Sequence, residues 1–278
     1  MSEQTFIKGL YLVATPIGNL GDISARAVEV LKATDLIACE DTRVTSKLLS
    51  HLGISAKLTP YHEHNAEKVR PQLMERLKNG EMIAQVSDAG TPIVSDPGYR
   101  LVQDCIENGI YFTAIPGASA VLTALQLSGL PSHRWLFEGF LPAKTAAKEK
   151  ELGELANIPA TLIFYESPNR LIETLESMKK VLGDRSAAVA RELTKKFEQT
   201  VRGTFSDLLA YYDRNGQPKG EIVIVVAPPL EQKAEAADID DMLKKALETM
   251  RVKDAAAFVA ELTGVSKKEL YQRALDLK

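Results

Sequence analysis

The chain has 278 residues, 45% of them hydrophobic, and carries a formal net charge of −3 at pH 7. That length can fill more than one core, so two domains plus an appendage are expected, with room for a cleft between them. The acidic balance excludes a protein that coats nucleic acid nonspecifically, and two cysteines, Cys39 and Cys105, are too few for a disulfide framework or a metal cluster.

In chain order, the segment Met1 to Lys8 has no basic region leading into an apolar core, and no later run approaches the length of a bilayer span. A soluble, cytoplasmic protein is expected. Apolar, β-branched runs then recur at Tyr11 to Thr15, Leu36 to Cys39, Met82 to Val86 and Tyr111 to Ile115. Their near-continuous hydrophobicity suits strands covered on both faces. Helical patterns separate them at Ser24 to Ala33 and Ala66 to Lys78. Strand and helix alternate, which predicts a parallel sheet. Asn79-Gly80 and Asn108-Gly109 mark helix ends, and Asp96-Pro97 reads as an N-cap followed by proline at the first helical position.

A second set of strands is expected at Trp135 to Phe140, Ala160 to Tyr165, Ala187 to Ala190, Gln199 to Gly203 and Glu221 to Ala227. The polar and apolar mixture in Glu198 to Gly203 indicates one wet face, hence a mixed sheet. The expected division is 1–117 for an N-terminal α/β domain, 118–229 for a C-terminal αβ domain, 230–241 for a linker and 242–278 for a helical extension. In that extension, Ala255 to Tyr271 reads as helix, Gly264 turn and a second helix with Ser266 and Glu269 as a capping box. This pattern fits a helix-turn-helix and, equally, a small bundle used for packing.

His51, His62, His64 and His133 lack the companions of a zinc site, and no P-loop or serine-hydrolase pattern occurs. The loop Thr15 to Asp22 follows the first strand, but its two glycines do not match the dinucleotide fingerprint. More distinctive is Val86 to Gly98, at a strand's carboxyl end, where open α/β sheets bind ligands. Capping and turn chemistry account for Ser95, Asp96 and Gly98, while Ser87-Asp88-Ala89-Gly90 offers small residues that admit a ligand and a carboxylate for a cation. Glu40-Asp41-Thr42-Arg43 brings acid, hydroxyl and guanidinium to the edge of the same sheet. There Asp41 or Thr42 can cap the next helix while Arg43 pairs with Glu40, or the group can act on a substrate. Tyr61 to Asn65 is a second candidate surface, and Lys144, Lys148, Lys195 and Lys196 are candidate phosphate contacts.

Taken together, Val13 to Leu20, Cys39 to Arg43, Ser87 to Pro92, Pro116 to Ala120 and Tyr165-Glu166-Ser167-Pro168 resemble the motifs of the tetrapyrrole-methylase superfamily. Within it, the chain resembles the bacterial methyltransferases of ribosomal RNA ribose. The likeness spans both expected α/β domains and the helical extension. It implies S-adenosylmethionine held in the cleft between the domains, no metal, and a homodimer. It also implies the substrate: a decoding-centre cytidine of 16S ribosomal RNA, methylated on its 2′-oxygen within the small ribosomal subunit. Carried over residue by residue, the cofactor site comprises Ser87, Asp88, Ala89, Thr91, Pro92, Ser119, Ala120 and Tyr165. Arg191-Glu192-Leu193 and Gly220-Glu221-Ile222 line the adenosine end. For catalysis the candidates are Glu40 or Asp41, to orient or deprotonate the hydroxyl, and Arg43, to bind a phosphate. Two alternatives stay open: a methyltransferase acting on a corrin or porphyrin precursor, which needs a broad apolar trough, and a non-enzymatic RNA-binding assembly factor.

Overall fold

The computed structural model describes residues 6–96, 98–229, 236–263 and 265–277. Pro97, Gly264 and the linker residues 230–235, each assigned a role above, lie outside the described residues. The chain divides into two compact units, Met1–Pro228 and Pro229–Lys278.

The first unit opens with β1 (Leu10–Val13), α1 (Ala25–Ala33), β2 (Leu36–Cys39), α2 (Thr42–His51), β3 (Leu58–Pro60), α3 (Ala66–Lys78), β4 (Ile83–Val86), α4 (Tyr99–Glu107) and β5 (Phe112–Ile115). The strands form one parallel sheet in the order β3-β2-β4-β1-β5. Period-two alternation explains how so short a sheet feeds two cores. Tyr11, Val13, Ile37, Cys39 and Ala84 pack with Val30, Leu31 and Leu49 of α1 and α2, while Leu10, Leu36, Ala38 and Ile83 pack with Leu73, Leu77 and Leu101 of α3 and α4. Both cysteines are buried and free, as expected.

Two details differ from the sequence reading. The edge strand β3 went unread because it has three residues and ends at Pro60, which an edge tolerates. Asp96 is not the cap of α4: Gly98 is, with φ +136° and no side-chain cap, because the chain turns there against the Gln85 side chain. Asp96 instead accepts a hydrogen bond from the Ser87 hydroxyl.

The second sheet follows α5 (Ala120–Ser128) and is built from β6 (Trp135–Phe140), α6 (Thr145–Leu155), β7 (Thr161–Glu166), α7 (Leu171–Leu182), β8 (Ser186–Arg191), β9 (Gln199–Thr204), α8 (Phe205–Asn215) and β10 (Ile222–Val226). Its order is β6-β7-β10-β8-β9, with β6 and β7 parallel and the remaining pairs antiparallel, the mixed sheet that the pattern predicts. Val121, Ala124 and Leu125 of α5 cover one face, and Leu152, Leu175, Met178 and Leu208 of α6 to α8 cover the other.

The second unit consists of α9 (Ala236–Leu247), α10 (Val252–Thr263) and α11 (Lys267–Asp276) around Leu243, Ala255, Ala256, Val259, Leu270 and Ala274. Helix α9 begins within the stretch expected as linker, since nothing from Ala236 onward breaks a helix. Ser266 caps α11 by accepting from the Glu269 N–H. No described helix is long and apolar enough to cross a membrane.

Gly9, just before β1, has φ +148°, and a Cβ there would strike the Tyr111 carbonyl, whereas a Cβ on Gly53 (φ +65°) meets open space. Gly53→Ala should therefore cost about 1 kcal/mol of backbone strain. Gly9→Ala should cost at least about 2 kcal/mol, strain and collision together. Urea unfolding of the two variants tests the ranking; equal midpoints would contradict it.

Candidate active site

Because the first sheet is parallel, the ends of β1, β2, β4 and β5 emerge on one edge, where their loops meet. Thr15 and Gly90 form a two-way backbone bridge, N···O 2.9 and 3.1 Å, and the Thr15 hydroxyl donates to the Ser87 carbonyl at 3.1 Å. Thr91 donates to the Ala118 carbonyl at 3.2 Å, tying the β4 loop to the loop that enters α5. Ser119 then caps α5. The second sheet presents the ends of β6 and β7, the residues after β8 and the start of β10 to the same place.

Between them lies a cleft of ≈ 380 Å³, within the roughly 300–1,000 Å³ of small-molecule sites. Ile17, Phe140, Leu193 and Val223 supply apolar wall, and Thr91, Ser95, Ser119 and Tyr165 bring hydroxyls. Gly90 (φ +83°) and Gly220 (φ +93°) give the lining a close backbone approach that a side chain would obstruct. Tyr165 stacks edge-on to Phe137 at 4.9 Å, and burial beside Asp96 and Glu221 pushes its phenol up to about 12.

Of the residues expected around a cofactor, Ala89, Thr91, Ser119, Ala120, Tyr165, Glu221 and Ile222 line this cleft, together with Leu193 and Gly220. Ser87, Asp88, Pro92 and Glu192 do not. Ser87 and Pro92 are buried beneath the loop. The Asp88 carboxylate accepts the Asp41 N–H at 2.9 Å, and Glu192 accepts from Lys195 and from the Glu221 N–H. These four build the walls from behind. Sequence reasoning passed over Ile17, Val94, Ser95, Asp96, Phe140, Glu166, Ser167, Pro168 and Val223, which also face the cleft. One signal was present in Tyr165-Glu166-Ser167-Pro168, a compact polar turn at a strand end. Asp96 was hidden behind its capping pattern.

The loop from β4 carries strain. Ile93 and Ser95 have φ of +76° and +61°, conformations that non-glycine residues seldom adopt. A β-branched residue held there costs on the order of 1–3 kcal/mol, and such strain collects at ligand sites. Asp96, at the end of this stretch, is half-buried; burial and the nearby Asp88 charge raise its carboxyl above the usual range. Among the described residues no cation pairs with it.

Beside the cleft, Glu40, Asp41 and Arg43 sit at the junction of β2 and α2. Asp41 caps α2 by accepting the Arg43 N–H at 2.8 Å and also binds the Arg43 guanidinium at 2.6 Å, so Arg43 pairs with Asp41 rather than Glu40. These contacts pull the Asp41 carboxyl down to about 2, which leaves it a weak proton acceptor. Glu40 behaves oppositely: burial first, then Asp88 and Asp96, raise its carboxyl, while the Asp88 N–H donates to it. The loops after β2 and β4 are thus joined reciprocally, each lending a carboxylate to the other's backbone. His62 lies near enough to Glu40 to favour its ionised form. The candidate phosphate contacts divide: Lys148 is completely buried, and Lys195 is bound to Glu192 and Glu221 at 2.8 and 2.7 Å. Neither is available to a phosphate.

A model of the tetrapyrrole (corrin/porphyrin) methylases matches residues 9–209, and a model described as the RsmI C-terminal HTH domain matches residues 233–278. Relatives named ribosomal RNA small subunit methyltransferase I include one from Mesorhizobium japonicum, 52% identical over 97% of this chain and 92% of its own length. Another, from Escherichia coli O157:H7, is 46% identical over 96% of this chain and 94% of its own. Two solved structures share the fold. The methyltransferase CobJ superposes with TM-score 0.60 at 17% identity, covering 80% of this chain and 94% of that one. Uroporphyrin-III C-methyl transferase from Thermus thermophilus, complexed with S-adenyl homocysteine, gives 0.55 at 16%, covering 79% and 97%.

A carboxyl raised by neighbouring charge should fall when that charge is removed. In a carbon-13 NMR titration Glu40 should ionise above the ordinary glutamate range, and in Asp88→Asn, which keeps the acceptor for the Asp41 N–H, its midpoint should drop. The sign for stability follows: the Glu40 contribution is full below the unfolded pKa and is lost as pH rises through the folded one. An unchanged midpoint in Asp88→Asn would contradict this electrostatic account.

Proposed function

The chain belongs to the tetrapyrrole (corrin/porphyrin) methylase family, and we infer from that membership that it is an S-adenosylmethionine-dependent methyltransferase of small-subunit 16S ribosomal RNA, acting on the ribose 2′-hydroxyl of a decoding-centre cytidine. The observation that carries this reading is the cleft, in which the Asp96 carboxylate, with no cation beside it among the described residues, faces an apolar wall and a set of hydroxyls. The wall suits a flat heteroaromatic group and the carboxylate suits a cation, the two chemical parts of a sulfonium nucleoside. Ala89, Gly90, Thr91, Asp96, Ser119, Tyr165, Leu193 and Glu221 would hold it. When bound, the cofactor supplies a methyl group activated on sulfur, ready for in-line displacement.

The chain's own residues then have two tasks. The first is alignment, since holding the acceptor oxygen in line is worth roughly 7–11 kcal/mol in favourable cases. The second is relieving the hydroxyl of its proton. Glu40 takes that role in our reading: its raised carboxyl lies closer to working pH than Asp41, which is held near 2. Asp41 serves by aiming Arg43, whose side chain is 86% exposed and free to meet a phosphate. Within the helical unit, residues 242 to 278 hold eight Lys or Arg against five acids, while residues 229 to 241 are acidic; the local basic stretch supports contact with the RNA of the assembled small subunit. We assign the edge along β5, with Tyr111 and Phe112 exposed, to a second copy of the chain. A substrate carried by ribosomal subunits supports a cytoplasmic location.

Incubated with labelled S-adenosylmethionine and small subunits lacking the modification, the protein should transfer methyl to one cytidine ribose. Glu40→Gln should lower turnover by about 10²–10⁴-fold, and Asp41→Asn by less, through weaker RNA binding. Full turnover in Glu40→Gln would remove Glu40 from the mechanism, and transfer to a base or to a tetrapyrrole would overturn the substrate. Deleting residues 229–278 should weaken binding to small subunits and flatten its salt dependence; unchanged binding would remove the helical unit from recognition.

A further inference from the structure

Lys148 is fully excluded from solvent, on a helix whose other buried side chains, Leu152 and Leu155, are apolar. A lysine is almost never buried completely unless it is paired. Its ammonium donates to Glu173 Oε1 at 3.2 Å and to Thr174 Oγ1 at 3.1 Å, both on α7. The Thr174 hydroxyl in turn donates to Glu166 Oε2 at 2.6 Å. The direction of that chain is fixed by chemistry, because an ammonium cannot accept and the threonine's single proton has one acceptor left, the Glu166 carboxylate.

Glu166 is where this network meets the cleft. Its side chain is 1% exposed, its Oε1 accepts the Ser167 N–H at 2.8 Å, and the same oxygen lies 3.4 Å from Arg170 Nε. Arg170 Nη2 continues to the carbonyls of Leu141 and Pro142, at 2.8 and 3.0 Å, directly after Phe140. Two cations and two carboxylates therefore balance within one connected group, buried at Lys148 and Glu166 and open to solvent at Glu173, joining α6 and α7 to the Phe140 turn and to the Tyr165–Pro168 turn. Both turns line the cleft. None of these side chains other than Glu166 reaches it.

We propose that Thr174 is a positioning residue for the cofactor: held by Lys148, its hydroxyl fixes the Glu166 carboxylate and with it the wall formed by Phe140 and Tyr165 to Pro168. The inference rests on the reading of the cleft as the S-adenosylmethionine site. Replacement of Thr174 by valine keeps the shape but leaves Glu166 Oε2 without a donor and Lys148 with Glu173 in place of two acceptors, and unpaired buried groups are relieved by movement. The turn at Ser167 would move with Glu166, since the Ser167 N–H is held by the same carboxylate.

The test is calorimetric titration with S-adenosylhomocysteine, paired with thermal unfolding, on the full chain. Thr174→Val should raise Kd roughly tenfold, and Thr174→Ser, which restores the hydroxyl, should bind like the native protein. Met178→Ala, a core truncation on the same helix, should lower Tm while leaving Kd unchanged, which separates positioning from bulk stability. Should Thr174→Val not fold, Lys148→Met keeps the Thr174–Glu166 bond but frees the hydroxyl from its anchor, and a smaller rise in Kd is expected. Native affinity in Thr174→Val, or in Lys148→Met where that variant is needed, would overturn the proposal while leaving the cofactor reading intact. Absence of binding by the native protein would overturn both.

Discussion

A parallel sheet has one consequence that the rest of this molecule depends on: every strand ends on the same edge. Four loops from β1, β2, β4 and β5 are thereby brought within hydrogen-bonding distance although they are far apart in sequence. The Thr15–Gly90 bridge and the Asp41–Asp88 contact join residues 75 and 47 positions apart in the chain. The second sheet needs no such rule. Its antiparallel pairing of β10 with β7 and β8 sets Ile222 beside Glu166 and Arg191, so three strand ends again share a rim. The cleft is what remains where the two rims face each other.

Charge within this frame is distributed by burial rather than by composition. Asp41 and Glu40 are adjacent in sequence and opposite in behaviour, because one lies at the surface against a guanidinium and the other is drawn inward beside Asp88 and Asp96. The same sorting separates the lysines. Lys195 closes an ion cluster behind the rim and Lys148 is sunk between two helices, while a local basic excess falls on residues 242 to 278 at the far end of the chain. An acidic protein can engage an RNA on these terms, provided the positive surface is local.

Much of the fold was legible because its signals are local. Strands rich in β-branched residues and the glycines Gly80 and Gly109 act within a few residues of themselves. The small residues Ala89 and Gly90 were equally readable, since little but a ligand explains them at a strand end. What escaped depends on distant partners. Asp96 carries the pattern of a cap and serves as cleft wall, because the Gln85 side chain turns the backbone at Gly98. Lys148 has the composition of a solvated helix position and is buried, because Glu173 and Thr174 await it on α7. Phe140 and Val223 become site residues only once two sheets meet.

We propose that the methyl donor binds in the space between the two rims. A crystal structure with S-adenosylhomocysteine tests it most directly. The ligand is expected between the Ala89 to Asp96 loop and the Tyr165 to Pro168 turn, with a cationic portion toward Asp96 and the heteroaromatic ring against Leu193 and Val223. Ligand density anywhere outside this cleft, with the cleft empty, would contradict it.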